Sequence, residues 1–288
     1  MAGDQKSTPL MKQYLDVKSK HPDKIILFRM GDFYETFYDD AKITSKILGI
    51  TLTKRNKNDE EAPHLAGFPY HALDNYLDKL VKSGNKIVIV EQVEDPKLAK
   101  GLVKREIVEI ITPGAILDEK LITRKDNVFL ACVHWEKNSQ KLGYACLDIS
   151  TGDFRFTELN QAVLRDELLR TQPREIVVRN QDQKALIEEL RLDYQPALSI
   201  YDTWHYDYVE AKRLIKEHFQ VISLESLGIQ NKHSGIVAAA VALSYIKSLR
   251  SEDLNHITNL TYYSLDHYMQ IDEVSRRNLE LLRSMRTN

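Results

Sequence analysis

The segment Met30–Tyr38 has the sequence Met-Gly-Asp-Phe-Tyr-Glu-Thr-Phe-Tyr and contains four aromatic residues within six positions. It follows the short apolar run Lys24–Met30, which predicts a buried strand. It leads into a helix predicted over Thr36–Leu48, which has two aspartates in its first turn and Gly49 directly after it. The segment therefore lies at a strand-to-helix junction, and this order of elements predicts a sheet covered by helices.

Strands and helices continue to alternate on both sides of this junction, which predicts an α/β fold of the mixed (α+β) type. The first predicted domain covers residues 1–113, and the Pro113-Gly114 turn marks its edge. Residues 114–126 are predicted to form a linker, and residues 127–250 a second domain. Three short strands are predicted to open that domain, at Val128–Trp135, Leu142–Ile149 and Asp153–Glu158. Residues 251–288 end in an apolar stripe that predicts one more helix, which suggests that the chain is the front part of a longer protein.

The composition excludes several classes of protein. The chain has 288 residues and a net charge of −2, so it carries no bulk electrostatic signature of a nucleic-acid-binding protein. Its two cysteines exclude a disulfide scaffold and a multi-cysteine zinc site. The sequence contains no P-loop, nucleophile-elbow, zinc-protease or EF-hand motif, so no catalytic residue and no metal ligand is assigned. The first residues lack the apolar core of a signal peptide, which favours the cytoplasm.

Phe33 and Glu35 are the candidate site residues within the junction. Residues two apart in an extended backbone point to the same side, so the ring and the carboxylate are expected to lie side by side. An apolar ring in this position can insert at a base step and kink the duplex, and a carboxylate beside it can bond to a displaced base. The alternative is that all four aromatic residues are core, the interpretation we prefer for Phe37. In that case the chain would be a protein-interaction module that does not read DNA.

A basic segment follows the junction. Residues 42–58 contain five lysine or arginine residues and no acidic residue. By itself such a run is typical of a solvated helix face followed by a charged loop. Its Lys54-Arg55 pair is nevertheless well suited to contact DNA phosphates from a loop, and Lys104-Arg105 forms a second basic pair.

Asp148 and Asp153 support a competing hypothesis. They flank the connection LDISTGDF, and acidic residues on adjacent strands can hold magnesium for phosphodiester cleavage. A two-metal site usually needs more carboxylates, and the sequence offers no third or fourth candidate. Aspartates beside a turn are also common for turn chemistry alone. A metal-dependent nuclease therefore stays open as an alternative.

Several blocks, in order along the chain, resemble the N-terminal part of the MutS family of DNA mismatch repair proteins. They are GDFYETFYDDAK (residues 31–42), LTKR (52–55), AGFPYHALDNYL (66–77), EQVEDP (91–96) and REIVEIITPGA (105–115), followed by LDISTGDF (147–154) and RRNLELL (276–282). The resemblance implies a mismatch-binding domain with a mixed β-sheet flanked by helices. It implies a ribonuclease-H-like connector domain next, and then the beginning of a helical core or lever domain.

The resemblance also assigns roles to individual residues. It implies that Phe33 stacks on a mispaired or unpaired base from the minor groove and that Glu35 hydrogen-bonds that base. Lys54, Arg55 and Arg105 occupy basic positions at or near the DNA backbone. Leu65 is expected in a loop that approaches the mismatch beside His71.

The partners implied by the resemblance are duplex DNA with mismatches or small loops, and a MutL-like protein bound through the connector. Family members also have a clamp and a C-terminal ATPase that holds a homodimer, and neither is in these 288 residues. ATP and magnesium are therefore expected only with that ATPase, and no cofactor is expected in this chain. The chain alone is expected to be monomeric and non-enzymatic. The expected location is the bacterial cytoplasm, in association with the nucleoid.

Overall fold

Two mixed sheets, each with helices packed against it, make up the described part of the protein. A computed structural model of the chain describes residues 8–54, 62–94, 101, 103–116, 127–136, 141–249, 254–265, 275 and 278–279. These residues divide into two units, one ending at Pro113 and the other beginning at Gly114. The predicted mixed α/β class is confirmed.

The first unit has three α-helices and six strands among its described residues. The helices are α1 (Pro9–Lys20), α2 (Tyr38–Leu48) and α3 (Leu73–Lys82). The strands are β1 (Ile25–Met30), β2 (Phe33–Phe37), β3 (Thr53–Lys54), β4 (His64–Pro69), β5 (Ile87–Gln92) and β6 (Arg105–Ile111). The sheet order is β3-β4-β2-β1-β5-β6, and only the β1–β5 pair is parallel.

Helix α1 covers part of one face of this sheet. The side chain of Thr8 accepts a bond from the third helical N–H, and Pro9 occupies the first turn, where its missing N–H has no cost. Leu10, Met11 and Tyr14 of α1 then pack against Ile26, Phe28 and Phe37 of the sheet, together with Val88 and Val90. Burial of this apolar face holds α1 on the sheet. On the opposite face, Phe68 of β4 contacts Tyr76 of α3.

Strand β2 extends further than the sequence indicates. The helix is predicted from Thr36, but Phe33–Phe37 forms a strand and the helix begins at Tyr38. Strand pairing explains why Thr36 and Phe37 are in a strand and not in the helix, because β2 lies between β1 and β4 and hydrogen-bonds to both. Strand β4 is also absent from the sequence prediction, since Gly67 and Pro69 are typical of loops.

The second unit contains six strands and four α-helices among its described residues. The strands are β7 (Phe129–Trp135), β8 (Lys141–Asp148), β9 (Asp153–Asn160), β10 (Glu175–Val178), β11 (Ala197–Ile200) and β12 (Thr261–Tyr262). The helices are α4 (Gln161–Thr171), α5 (Gln181–Glu189), α6 (Tyr208–His218) and α7 (His233–Leu249). The sheet order is β11-β10-β7-β8-β9-β12, with β7, β8 and β9 antiparallel and β10 and β11 added in parallel. This is the order expected of a ribonuclease-H-like sheet, with β12 as an extra edge strand.

Helix α7 is the central helix of the second unit and is buried over most of its length. Its first turn approaches β8 so closely that a Cβ on Gly143 would lie 1.8 Å from the carbonyl oxygen of Ser234. A Cβ on Gly235 would lie 2.6 Å from the ring of Phe156. Gly143 therefore permits close contact between the backbones of α7 and β8, and Gly235 leaves room for the ring of Phe156 in β9.

Both ends of the second unit differ from the sequence prediction. Gly114–Ile116, predicted as the start of a linker, pack into this unit: Ala115 and Ile116 are buried, and the Gly114 N–H donates to Glu175 over 3.1 Å. Residues 254–265, predicted as part of the next domain, also pack here, because β12 finds hydrogen-bond partners on the edge of β9. Residues 117–126 and most of the predicted last helix lie outside the described residues.

Candidate DNA interface

Phe33 stands at the end of a tight hairpin. Strands β1 and β2 are joined by Gly31 and Asp32 alone, and Gly31 has φ of 58°, a left-handed conformation that glycine adopts without strain. The hairpin brings Phe33 opposite Met30 on one side and Pro69 on the other. The side chain of Phe33 is 47% exposed. A large apolar ring is thus held in solvent by rigid strand pairing.

Glu35 lies two residues further along β2, on the same face of the sheet as Phe33. Its neighbours across the strands are Phe28 of β1 and Gly67 of β4. A Cβ on Gly67 would lie 3.3 Å from Cγ of Glu35 and 2.9 Å from the carbonyl oxygen of Tyr34. The missing side chain at position 67 therefore leaves the room that Glu35 occupies.

The four aromatic residues of the junction have different environments. Phe37 shares its face with Phe33 but is fully buried, with its ring 5.0 Å from that of Tyr14 in α1. Tyr34 is buried on the opposite face, and Tyr38, at the start of α2, is partly exposed. Helix α1 thus covers one end of this face and leaves Phe33 in solvent at the other. The interpretation of all four aromatic residues as core requires Phe33 to be buried, but its side chain is 47% exposed. The burial of Phe37 agrees with the preference for that residue as core.

A buried carboxylate fixes the elements behind β2. Asp40 of α2 accepts hydrogen bonds from the Tyr14 hydroxyl (2.7 Å) and the Ile26 N–H (3.1 Å), and Lys18 pairs with it over 2.8 Å. Burial, with Asp40 beside it, raises the pKa of Tyr14 well above its usual value, so the phenol stays a donor. These bonds connect α1, α2 and β1 around a single charge, which makes the support of the hairpin rigid.

The other predicted contact residues are not all gathered around Phe33. Lys54 lies in β3, half-buried opposite His64, and His71 is exposed in the 3-10 turn Tyr70–Ala72. Leu65 was predicted in a loop, which is wrong: it lies in strand β4, paired with Phe37 and Thr53. Arg55 lies outside the described residues.

Arg105 binds backbone carbonyls of its own unit. Its Nε donates to the carbonyl oxygen of Arg29 over 2.8 Å, and one terminal nitrogen donates to that of Val103 over 2.9 Å. The guanidinium also lies over the ring of Phe28, 5.1 Å from its centroid, and burial lowers the pKa of Arg105. Arg105 thus holds the end of β1 to β6.

A second arginine, which the sequence analysis missed, lies on the other face of the same hairpin. The guanidinium of Arg29 stacks 3.8 Å from the centroid of the Tyr70 ring and pairs with Glu91 over 3.6 Å. Its Nε donates to the carbonyl oxygen of Gly31, in the hairpin turn. Tyr70 stands in the block AGFPYHALDNYL, but no sequence pattern connects it with an arginine 41 residues earlier.

Asp148 and Asp153 lie at the two ends of the turn between β8 and β9, and both carboxylates have partners within the protein. The fully buried carboxylate of Asp148 accepts from the N–H and the hydroxyl of Ser150, at 2.9 and 2.7 Å, and from the N–H of Val128 at 3.2 Å. Asp153 pairs with Arg155. Within the described residues, no group of three or more histidine, cysteine or acidic side chains is placed to hold a metal ion. The contacts of Asp148 match the turn chemistry set against the nuclease hypothesis, whereas Asp153 is engaged by a residue of β9.

Comparison with known proteins bears directly on this hairpin and on both units. A family model for MutS domain I matches residues 8–120, and one for MutS domain II matches residues 127–258. The chain belongs to the MutS family. It matches MutS across both units, so Phe33, Glu35 and the hairpin lie within MutS domain I and the ribonuclease-H-like sheet lies within MutS domain II.

Individual MutS relatives align over nearly the whole chain. The chain is 41% identical over 282 residues to the DNA mismatch repair protein MutS of Lachnoclostridium phytofermentans, covering 97% of this chain and 30% of that protein. It is 41% identical over 286 residues to that of Desulfosudis oleivorans, covering 98% of this chain and 32% of the relative. The chain thus spans about a third of the length of these MutS relatives. No helix among the described residues is long and apolar enough to cross a membrane.

Proposed function

We propose that this chain recognises mispaired or unpaired bases in duplex DNA, with Phe33 as the residue that enters the base stack. The observation that carries the proposal is the 47% exposure of Phe33 at the tip of a hairpin whose other large side chains are mostly buried. A ring exposed on a rigid strand can insert between bases with little loss of its own conformational freedom. Insertion kinks the duplex, and a mismatched step unstacks more easily than a paired one.

Glu35 supplies the discrimination in this proposal. It lies on the same face as Phe33, two residues further from the tip, so a base displaced by the ring comes within its reach. A carboxylate near the phosphate backbone is repelled by it, and a displaced base offers a compensating hydrogen bond that paired DNA withholds. Matched DNA is therefore penalised and mismatched DNA is not.

The test is the ratio of the dissociation constants for matched and mismatched duplexes at fixed salt. It is measured in the intact protein, meaning this chain with any residues that follow it. Base–aromatic stacking contributes about 1–3 kcal/mol, so Phe33→Ala should reduce the ratio by about tenfold or more. Phe37→Leu, which alters a buried ring on the same strand, is the matched control and should reduce thermal stability instead. An unchanged ratio in Phe33→Ala would reject the proposal.

The remaining partners belong to the same proposal. The second unit would act as a connector that contacts a MutL-like protein, and the homodimer, ATP and magnesium would come with an ATPase outside these 288 residues. Support comes from the MutS domain II match over residues 127–258 and from the share of the relatives that the chain covers. We propose no enzymatic activity for this chain, because Asp148 of the nuclease hypothesis is engaged by the β8–β9 turn and Asp153 is paired with Arg155 of β9.

A further inference from the structure

We propose that Arg29 is a positioning residue for Phe33, acting through the carbonyl oxygen of Gly31 rather than by touching DNA. The inference rests on the proposed function of Phe33. It names a residue that sets the geometry of the wedge and that neither the sequence pattern nor the comparisons assign.

The hairpin tip is held by two hydrogen bonds to its turn carbonyls. The Nε of Arg29 donates to the carbonyl oxygen of Gly31, and the backbone N–H of Tyr70 donates to that of Asp32 over 2.9 Å. The two residues of the turn are thus fixed from the side of β1 and from the side of β4. Phe33 follows directly, so its direction depends on these bonds.

The Arg29 side chain is itself held in one orientation. Its guanidinium lies 3.8 Å from the centroid of the Tyr70 ring and 5.6 Å from that of Tyr34, and it pairs with Glu91. The hydroxyl of Tyr34 also donates to Glu91, and burial together with this carboxylate raises the pKa of Tyr34. Tyr70 therefore makes two contributions. Its backbone N–H donates to Asp32, and its ring stacks on Arg29, which donates to Gly31.

The location of Arg29 argues against a direct phosphate contact. Its side chain is 18% exposed, and its charge already faces Glu91. Arg29 and Tyr34 are partners across β1 and β2, so they lie on the face of the sheet opposite Phe33. A planar guanidinium can stack and donate from Nε at the same time, whereas a lysine ammonium keeps the charge but cannot do both.

The experiment compares Arg29→Lys with Phe33→Ala in the intact protein. The readouts are the ratio of matched to mismatched dissociation constants, the fluorescence of 2-aminopurine placed beside the mismatch, and the thermal midpoint. We expect Arg29→Lys to lower the ratio by about fivefold and to change the 2-aminopurine signal in the direction of Phe33→Ala. Affinity for matched DNA should change by less than about twofold, because the charge is kept. Arg155→Lys is the matched control, since Arg155 pairs with Asp153 and lies over the Phe129 ring in the second unit.

Two variants of Tyr70 test the same link without altering the arginine. Tyr70→Phe keeps the ring and should behave as wild type, whereas Tyr70→Ala removes the stacking partner and should lower the ratio as Arg29→Lys does. Combining Arg29→Lys with Tyr70→Ala should lower the ratio little more than either single substitution, because both act through the same stacking contact. If Arg29→Lys fails to fold, the Tyr70 pair decides.

Each outcome has one meaning. The positioning role is overturned if Arg29→Lys keeps the wild-type ratio of matched to mismatched dissociation constants while Phe33→Ala lowers it. The proposed function then still stands. A ratio unchanged in Phe33→Ala overturns both. A lower matched-to-mismatched ratio in Tyr70→Phe would show that the Tyr70 hydroxyl contacts DNA directly. This result would also overturn the positioning role.

Discussion

At the scale of single residues, Phe33 and Phe37 show how little a side chain's chemistry says about its role. They occupy the same face of the same strand, yet one is 47% exposed and the other fully buried. The difference comes from Tyr14 of α1, whose ring lies over Phe37 and not over Phe33. Sequence alternation predicted that Phe33 and Glu35 share a side, but it could not locate the edge of α1.

Glu35→Gln should raise affinity for matched DNA and narrow the gap between matched and mismatched duplexes. The amide removes the repulsion between a carboxylate and nearby phosphates while keeping the size of the side chain. The measurement is the ratio of dissociation constants at fixed salt in the intact protein, with an expected fall of about three- to tenfold.

A matched control separates this effect from a general change of charge. Glu106 is an acidic residue of the same unit, with its side chain 53% exposed beside Lys104. Glu106→Gln changes the net charge by the same amount on β6, which is separated from β2 by β1 and β5 in the sheet. The role of Glu35 is contradicted if Glu106→Gln lowers the matched-to-mismatched ratio as much as Glu35→Gln does, or if Glu35→Gln leaves the ratio unchanged.

At the scale of elements, the sequence predicted the strands with apolar runs and missed those that depend on their neighbours. Strands β1 and β5 are buried and β-branched or aliphatic, so their pattern identifies them. Strand β4 contains Gly67 and Pro69, which by propensity belong in a loop, and it is a strand because β2 and β3 supply hydrogen-bond partners. The stack of Arg29 on Tyr70 depends on this pairing, so it was also beyond reach of the sequence.

Gly67→Ala tests whether β4 shapes the site as well as the sheet. A Cβ there would meet the carbonyl oxygen of Tyr34 at 2.9 Å and Cγ of Glu35 at 3.3 Å, so the acid must move. We expect a loss of stability of about 1–3 kcal/mol together with a smaller matched-to-mismatched ratio. Gly84→Ala is the control: Gly84 has φ of 84° and open space around it, so alanine there strains the backbone without touching β2. If both variants lose stability but keep the ratio, Gly67 serves the sheet alone.

At the scale of the whole molecule, the two units should behave as separate folding bodies. The described residues up to Pro113 and those from Gly114 form their own contacts, and each has its own sheet and core. Limited trypsin digestion should therefore cleave first within residues 117–126, which contain Lys120, Arg124 and Lys125. Mass spectrometry of the first products identifies the site. First cleavage inside α3 (Leu73–Lys82) would contradict the division.

The 288-residue chain alone should bind DNA weakly, as a monomer, with a shallow dependence on salt. Its 40 basic and 42 acidic residues give a net charge of −2, and Arg29 and Arg105 are engaged by protein carbonyls, so we expect few phosphate contacts beside Phe33. Each neutralised phosphate contributes about −0.9 to the slope of log K against log salt, so two or three contacts predict a slope of about −2 to −3. Specificity would then come from the ease of kinking a mismatched step, which salt changes little.

Fluorescence anisotropy over a salt series measures the slope, and sedimentation measures the oligomeric state. A slope steeper than about −6, or a tight dimer at micromolar concentration, would show a binding surface larger than the Phe33 hairpin and its neighbours.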